Sequence, residues 1–287
     1  MSVVDRVPAG LDVTEYHYQA HAHDGVFLDI VLESREQLMV RDVLWSEDHV
    51  LEVDGVRFVA RGATNRFKSS SDRFCLVKRP DVAAAYLDLL AELRPATIVE
   101  LGVYQGGSCA LMALASDPEM LVAVELAEER VPALDALITN RGLSERIHVH
   151  HGVDQADAAM LGRLVDEHLA GRPLDLVVDD ASHLVGPTRA SFNALFPRLR
   201  PGGVYIIEDW SWAHIGYGVH RPAETPLTVL VFEITMALPS RPGLIDELRI
   251  DRDWALMVRG DGQFEAADFD ISACYSERGQ ALLGSRE

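Results

Sequence analysis

From Pro80 onward, short apolar runs alternate with longer amphipathic segments, and this alternation constrains the fold more than any other feature. The apolar runs predict five strands, over residues 97–101, 121–125, 147–151, 174–179 and 204–208. The remaining segments predict helices over residues 80–93, 107–116, 128–141, 155–170, 187–199 and 227–238, with two last strands over residues 246–252 and 254–259. Strands separated by helices form parallel βαβ units, so the pattern predicts an α/β fold with a doubly wound, mostly parallel sheet.

The part of the chain that precedes this alternation has a different character. Residues 50–59 alternate apolar and polar side chains around an Asp-Gly pair, which predicts a β-hairpin. We therefore predict an N-terminal extension over residues 1–79 and a main domain over residues 80–287. The extension begins with three scattered histidines, His17, His21 and His23. A metal site is one interpretation of them, but the lack of a clear period favours an irregular, partly exposed segment.

The net charge excludes several classes of partner. The chain has 26 Lys and Arg residues against 45 Asp and Glu residues, which makes the formal net charge −19. A surface this acidic repels nucleic-acid phosphates and anionic lipids. We therefore expect no nucleic-acid partner and no membrane partner, and the charge favours a small neutral or cationic ligand.

The cysteines and the absence of targeting signals predict a cytoplasmic protein. Cys75, Cys109 and Cys274 are odd in number and have no CxxC spacing, which argues against a disulfide framework and a thiolate zinc site. No apolar run approaches the roughly 20 residues that a membrane-spanning helix needs. The first residues lack the basic and apolar regions of a signal peptide.

The loop after the first strand of the main domain is rich in glycine. Its sequence, VELGVYQGGS over residues 99–108, allows a tight turn that a ligand can approach closely, and the next helix directs its N-terminal amides there. The spacing differs from the dinucleotide G-x-G-x-x-G pattern and from the phosphate-binding P-loop. A serine nucleophile elbow is disfavoured because Ser108 falls inside the predicted helix. The ligand-binding candidates in this loop are Glu100, Gly102, Tyr104, Gly106 and Ser108.

Polar residues after the next two strands predict contacts to a nucleoside. Glu125 ends the second strand, where an acid can accept the hydroxyls of a ribose. Asp154 and Gln155 follow the third strand and are candidates for an adenine edge. Together with the glycine loop, this arrangement resembles the class I S-adenosylmethionine-dependent methyltransferases. S-adenosylmethionine carries no phosphate, so no basic residue is needed, and Glu100 suits its amino-acid end. The alternative is an unrelated α/β enzyme with ordinary loop glycines.

Acidic residues follow the fourth and fifth strands. Asp180 comes directly after the fourth strand, while Glu208 and Asp209 end the fifth. If the two strands are neighbours, these carboxylates share a pocket and repel one another unless a cation is present. Oxygen ligands without cysteine indicate a hard ion, Mg²⁺ above all. Helix capping or a solvated loop is the alternative for each acid taken alone. We assign Asp179, at the same strand end, to the cofactor.

His183 is the candidate general base. It lies three residues after Asp180, and the ordinary histidine pKa of about 6.5 lets it accept a proton near neutrality. Methyl transfer to an alcohol needs such help because a neutral hydroxyl is a poor nucleophile. We therefore predict that His183 and Asp180 are the catalytic residues.

Residues from about 95 to 215 resemble the metal-dependent sugar O-methyltransferases of macrolide biosynthesis, of the macrocin and mycinamicin type. They are also similar to rhamnosyl O-methyltransferases and to the cephalosporin hydroxylase family. The matching stretches are ELGVYQGGS, VDDASH and YIIEDW. The resemblance implies a base role for His183 and Mg²⁺ binding by three carboxylates, those of Asp180, Glu208 and Asp209. Many relatives have glycine where Ala181 stands, which leaves this assignment intact.

The resemblance also implies a function and an assembly. We predict a Mg²⁺-dependent O-methyltransferase that acts on a hydroxyl of a small metabolite, a sugar or natural product, in antibiotic biosynthesis. The alternatives are a cephalosporin hydroxylase-like enzyme and a non-catalytic, methyltransferase-like partner subunit. Extra N-terminal structure contributes to oligomerisation in the macrolide enzymes, so a homo-oligomer is expected here. The aromatic segment over residues 210–220 is a candidate substrate lid, although packing of its tryptophans against the next helix explains it equally well.

Overall fold

A computed structural model of the protein describes residues 43–46, 49–61, 68–70, 72–215 and 225–275. The three N-terminal histidines lie outside this part of the chain, as do residues 216–220 of the aromatic segment. The expectations about them stay predictions.

A small sheet precedes the main domain. It consists of β1 (Val43–Ser46), β2 (Val50–Val53), β3 (Val56–Ala60) and β4 (Arg73–Leu76), in that spatial order. β2 and β3 pair antiparallel, which confirms the predicted hairpin. Both turn residues, Asp54 and Gly55, have positive φ, as a tight two-residue hairpin turn requires.

The main sheet has seven strands and is mostly parallel. Its strands are β5 (Thr97–Leu101), β6 (Met120–Glu125), β7 (Ile147–His151), β8 (Leu174–Asp179), β9 (Leu199–Glu208), β10 (Ile245–Ile250) and β11 (Trp254–Arg259). The spatial order is β10-β11-β9-β8-β5-β6-β7, and β11 runs antiparallel to both of its neighbours. The five strands from β5 to β9 are parallel, so their carboxyl ends meet at one edge.

In the described part of the chain, six α-helices cover the two faces of this sheet. They are α1 (Pro80–Leu93), α2 (Gly107–Ser116), α3 (Pro132–Asn140), α4 (Ala158–Leu169), α5 (Val185–Leu195) and α6 (Thr228–Ser240). Helices α1, α2 and α3, together with the small sheet, pack on one face of the main sheet, and α4, α5 and α6 pack on the other. This arrangement confirms the predicted doubly wound fold.

Two of the larger differences from the predicted elements concern one helix and one strand. α3 begins at Pro132, later than predicted, because proline favours the first position of a helix. β9 begins at Leu199, earlier than predicted. Its first part pairs with β8 through an irregularity between Leu174 and Leu176, which lets a Pro-Gly-Gly segment continue the strand.

Alternation along the strands decides which face each side chain reaches. Ile206 of β9 is buried on the α1/α2 face, whereas its neighbours Tyr205 and Ile207 are buried on the α4/α5 face. The same two-residue period puts Glu100 and Glu208 on the α1/α2 face, because the residues two positions before them in their strands are buried on that face.

No helix within the described ranges has both the length and the apolar character that crossing a membrane requires.

Candidate active site

The glycine loop connects β5 to α2 at the carboxyl edge of the sheet. Gly102 has φ +90°, and a Cβ added there would collide with the backbone carbonyl of Asp180. Gly106 precedes α2 with φ +76° and offers no side-chain cap, so the first amides of α2 face the loop. Tyr104 also has positive φ and is 54% exposed. The loop therefore brings backbone donors beside the residues that follow β8.

Glu100 is a buried carboxylate beneath this loop. Its side chain is fully buried, and neither carboxylate oxygen has a hydrogen-bond partner among the described residues. Burial raises its pKa to about 8, and the nearby Ser108 hydroxyl opposes that rise. A buried acid without a partner is costly in a folded protein. Glu100 is therefore suited to a cationic or hydrogen-bonding group of a ligand.

Glu125 holds the glycine loop from the end of β6. Its Oε2 accepts hydrogen bonds from the amides of Val103 and Tyr104 at 2.9 and 2.8 Å, and its Oε1 accepts one from Ala127 at 3.0 Å. Burial raises the pKa of Glu125, but these three backbone donors outweigh burial and lower it overall. The carboxylate is thus ionised and fixed at the rim of the loop, where a ribose would lie.

The two candidates for an adenine contact have different surroundings. Asp154 is exposed and accepts a hydrogen bond from the amide of Ala156 at 2.8 Å. Gln155 is buried; its Nε2 donates to Asp179 at 3.0 Å, and its Oε1 accepts from the amide of Ser182 at 2.8 Å. Because both ends of the Gln155 amide are engaged, Asp154 is the more accessible of the two.

Asp179 faces away from the pocket of Asp180. It is buried on the α5 side, where it accepts hydrogen bonds from Ser191 at 2.8 Å and Tyr205 at 3.2 Å in addition to Gln155. Burial raises its pKa to about 6, and these donors oppose the rise. This environment ties β8 to α5 and β9, so the predicted cofactor contact of Asp179 has no support from its surroundings.

Asp180, His183 and Asp209 converge at the ends of β8 and β9. One potential ligand atom from each of them lies within 4.8 Å of the others. The His183 Nε2 is 4.0 Å from Asp180 Oδ1, and the His183 ring packs 4.3 Å from the ring of Trp212. His183 and Asp209 both have positive φ, at 54° and 55°. Such conformations in non-glycine residues are strained and cluster at functional sites.

Glu208 lies deeper and has different partners. Its Oε1 accepts hydrogen bonds from Lys78 Nζ at 2.7 Å and from the Tyr86 hydroxyl. Lys78 Nζ also donates to Asp180 Oδ2 at 2.8 Å. Burial and repulsion from Asp180 raise the pKa of Glu208, while Lys78 opposes that rise. Of the three carboxylates predicted to bind metal, those of Asp180 and Glu208 are therefore both paired with the Lys78 ammonium, and Glu208 is the more deeply buried of the two.

Lys78 and Tyr86 are site residues that the sequence analysis did not identify. Lys78 belongs to the predicted extension, and Tyr86 lies on α1 among apolar neighbours. Neither residue stands in a recognisable motif. The sequence signal for Lys78 is its position two residues before Pro80. The partial positive charge of a helix N-terminus disfavours a lysine there, so its presence needs another explanation.

The donor set fits both implied groups. The carboxylates of Asp180 and Asp209 are hard oxygen donors at close range, which suits Mg²⁺. Burial and repulsion from Asp180 raise the pKa of Asp209 to about 7, which a bound cation would reverse. The unpartnered Glu100, the open first turn of α2 and the fixed Glu125 suit the amino-acid end and the ribose of S-adenosylmethionine.

Two tryptophans of the aromatic segment are held close to the pocket. Trp210 Nε1 donates to the carbonyl of Asp251 at 3.0 Å, and the Trp212 ring contacts His183. The His214 ring meets the Thr228 hydroxyl at 2.6 Å, which fixes the segment to the start of α6. Trp212 is thus placed beside the candidate base, and the lid role of the segment stays a prediction.

Comparison with known sequence families finds a similarity over the candidate site. Residues 99–210 match a family model described as "Methyltransferase domain". The matched range runs from β5 to just past Asp209, so it contains every site residue predicted from the sequence. This part of the chain is therefore similar to methyltransferase domains.

Among the curated proteins to which the chain is similar are O-methyltransferases named for tetracenomycin and mycinamicin substrates. The 8-demethyl-8-(2-methoxy-alpha-L-rhamnosyl)-tetracenomycin-C 3'-O-methyltransferase of Streptomyces olivaceus is 47% identical over 79 residues, 27% of this chain and 19% of that protein. The mycinamicin VI 2''-O-methyltransferase of Micromonospora griseorubida is 47% identical over 66 residues, 23% of this chain and 16% of that protein. The chain thus matches less than a fifth of the length of these two relatives.

Among solved structures, the MycE methyltransferase of the mycinamycin pathway, in complex with Mg and SAH, is 26% identical. The match covers 65% of this chain and 51% of that one, with a TM-score of 0.46.

Proposed function

We propose that the protein is a Mg²⁺-dependent O-methyltransferase that transfers a methyl group from S-adenosylmethionine to a hydroxyl of a small metabolite. One observation carries the proposal: Asp180, His183 and Asp209 lie within 4.8 Å of one another at the same sheet edge as the glycine loop. A hydroxyl bound among these three groups would lie beside the loop that receives the cofactor. The local similarity to antibiotic-sugar O-methyltransferases supports the same conclusion.

The chain's own residues divide the work between binding and proton transfer. When bound, S-adenosylmethionine supplies an activated methyl group, and Mg²⁺ lowers the pKa of the acceptor hydroxyl. Glu125 holds the loop and receives the ribose, and Glu100 receives the amino-acid end. Asp180 and Asp209 hold the ion. His183 takes the acceptor's proton at Nε2, the nitrogen that faces Asp180, and the Asp180 carboxylate stabilises the imidazolium that forms.

The first experiment separates the two halves of the site. Calorimetric titration with S-adenosylhomocysteine, with and without Mg²⁺, is expected to show binding that Glu125→Ala weakens. Titration with Mg²⁺ is expected to show binding that Asp209→Asn abolishes. If S-adenosylhomocysteine binds under no condition, the methyltransferase proposal is wrong.

The acceptor requires a second experiment. The relatives' names point to sugar hydroxyls of glycosylated polyketides, so a panel of such compounds is the first choice. Methyl transfer adds about 14 Da to the acceptor, whereas hydroxylation by a cephalosporin hydroxylase-like enzyme adds about 16 Da. If Asp180→Asn and His183→Ala both retain normal transfer to the true acceptor, the assigned roles are wrong.

We further propose that the protein works in a reducing, cytoplasmic setting as a homo-oligomer. Three free, buried cysteines in the described part of the chain support the first statement. Size-exclusion chromatography with light scattering tests the second, and a monomer at micromolar concentration would contradict it.

A further inference from the structure

Lys78 is a buried cation inside a pocket of carboxylates. Its side chain is 5% exposed, and Nζ lies 2.8 Å from Asp180 Oδ2 and 2.7 Å from Glu208 Oε1. The Tyr86 ring lies 5.0 Å from the ammonium, and the Tyr86 hydroxyl donates to the same Glu208 oxygen. An ammonium is buried in this way only when its partners compensate for the lost hydration. Lys78 is therefore fixed in the pocket.

Asp180 is shared between this lysine and the candidate metal group. Its Oδ2 is bonded to Lys78, while its Oδ1 faces the ring of His183. Glu208, the other partner of Lys78, is not part of the group formed by Asp180, His183 and Asp209. A divalent ion held by Asp180 must consequently share that carboxylate with the Lys78 ammonium. The ion and the ammonium are both positive, and their repulsion is strong in a buried pocket.

We propose that Lys78 is a built-in competitor of the divalent cation: by holding Asp180 and Glu208, its ammonium sets both the affinity and the ligand set of the metal site. This inference rests on the proposed function, because it concerns the ion of that site. Lys78 acts through the two carboxylates and is a positioning residue. Glu208 serves as the counter-ion of Lys78, which leaves Asp180 and Asp209 as the carboxylates for the ion.

The proposal predicts a gain of metal affinity when the ammonium is removed. Lys78→Met keeps an unbranched side chain of similar length without the charge, so it removes the repulsion and frees two carboxylate oxygens. We expect Mn²⁺, a probe of the Mg²⁺ site, to bind about tenfold more tightly or better. Lys78→Arg retains a positive charge and should change the affinity by less than about threefold.

The measurement is Mn²⁺ binding followed by the electron paramagnetic resonance signal of the free ion, with Mg²⁺ as competitor and no cofactor or acceptor present. Lys68→Met is the matched control, because Lys68 is the other lysine in the sequence and its side chain is exposed. It should leave the affinity unchanged. Circular dichroism establishes that each variant is folded.

A second pair of variants covers the case in which Lys78→Met fails to fold because two carboxylates lose their partner. Glu208→Gln removes one negative charge and keeps the Lys78 ammonium. It is compared with the Lys78→Met/Glu208→Gln double variant, which removes the ammonium as well. The double variant should bind Mn²⁺ more tightly than Glu208→Gln alone.

The results separate this inference from the proposed function. Tighter binding in either pair supports the competitor role, even where the wild type binds weakly. Equal or weaker binding on loss of the ammonium overturns it, since a merely structural lysine would give that result. If Asp209→Asn binds Mn²⁺ as well as the wild type, the proposed metal site itself is wrong.

Discussion

Asp179 and Asp180 are adjacent in the chain, yet their carboxylates face opposite sides of the central sheet. Asp179 accepts hydrogen bonds from Ser191 and Tyr205 on the α5 side, at 2.8 and 3.2 Å. Asp180 accepts one from Lys78 on the α1 side, at 2.8 Å. Successive side chains of a strand alternate between the two faces, so only one of two neighbouring acids can reach the site. Asp179 therefore ties β8 to α5 and β9, and Asp180 is the acid that we propose for the active site.

This division predicts the result of Tyr205→Phe. The variant removes one donor from the buried Asp179 carboxylate and should lower the free energy of unfolding by about 1–2 kcal/mol. Urea denaturation measures that loss. The affinity for S-adenosylhomocysteine should stay within about twofold of the wild type. A large loss of affinity in a folded variant would instead return Asp179 to the cofactor site.

Glu125→Ala should weaken cofactor binding by about tenfold or more, because the glycine loop loses the two hydrogen bonds from its amides and the ribose of the proposed cofactor loses its acceptor. Calorimetry with S-adenosylhomocysteine provides the measurement. Glu129→Ala is the control: this acid is exposed and close in sequence, and its removal changes the net charge equally. Equal losses in the two variants would mean that charge alone is responsible.

Gly102→Ala should disturb both the loop and the acidic pocket. The added methyl group meets the backbone of Asp180 and is attached at a φ of +90°. Gly142→Ala is the comparison, since Gly142 also has positive φ, at +65°, but has open space around it. We expect a loss of about 1 kcal/mol for Gly142→Ala and a clearly larger loss for Gly102→Ala by urea denaturation. Similar losses would show that φ rather than the contact dominates.

His183 can be tested as a base separately from any role as a ligand. If it only accepts the acceptor's proton, His183→Gln lowers kcat by about 10²–10⁴-fold and leaves Mn²⁺ affinity within about twofold. If it also holds the ion, Mn²⁺ affinity falls as it does in Asp209→Asn. The value of kcat is measured with the acceptor that the compound panel identifies. The Mn²⁺ affinity is measured on the protein without acceptor or cofactor.

A pH dependence of stability is expected from His150 and His168. Their ring nitrogens are 2.8 Å apart. Burial, followed by repulsion from His168 and His148, lowers the pKa of His150, and burial, followed by repulsion from His148, lowers the pKa of His168. Folding therefore favours the neutral forms of both rings. Their contribution to the free energy of unfolding is complete above the ordinary histidine pKa of about 6.5. It is lost as the pH falls from that value through the lowered pKa of the folded state.

The corresponding measurement is the unfolding free energy of the wild type and of His150→Asn/His168→Asn at about pH 7.5 and about pH 5.5. The wild type should lose more stability on acidification than the double variant. Equal losses would mean that other groups titrate in this range.

The elements of the main domain could be predicted because their signals are local. The strand Thr97–Leu101 and the helix Gly107–Ser116 have the predicted bounds. The signals that predict them, the spacing of apolar residues and the positions of the glycines, depend only on residues close together in the sequence. The early start of β9 could not be predicted. It depends on an irregular pairing with β8, which residues 199–203 do not encode by themselves.

The sequence alone determined that Asp180 and Asp209 follow the ends of two strands, and it predicted that they share a pocket if those strands are neighbours. Only the tertiary structure decided what faces them. Lys78 reaches Asp180 and Glu208 across 102 and 130 residues of chain, contacts that depend on the order of the strands and on how α1 packs over the sheet. No local pattern records such a contact, because the free energy of burying an ammonium depends on partners that only the folded chain assembles.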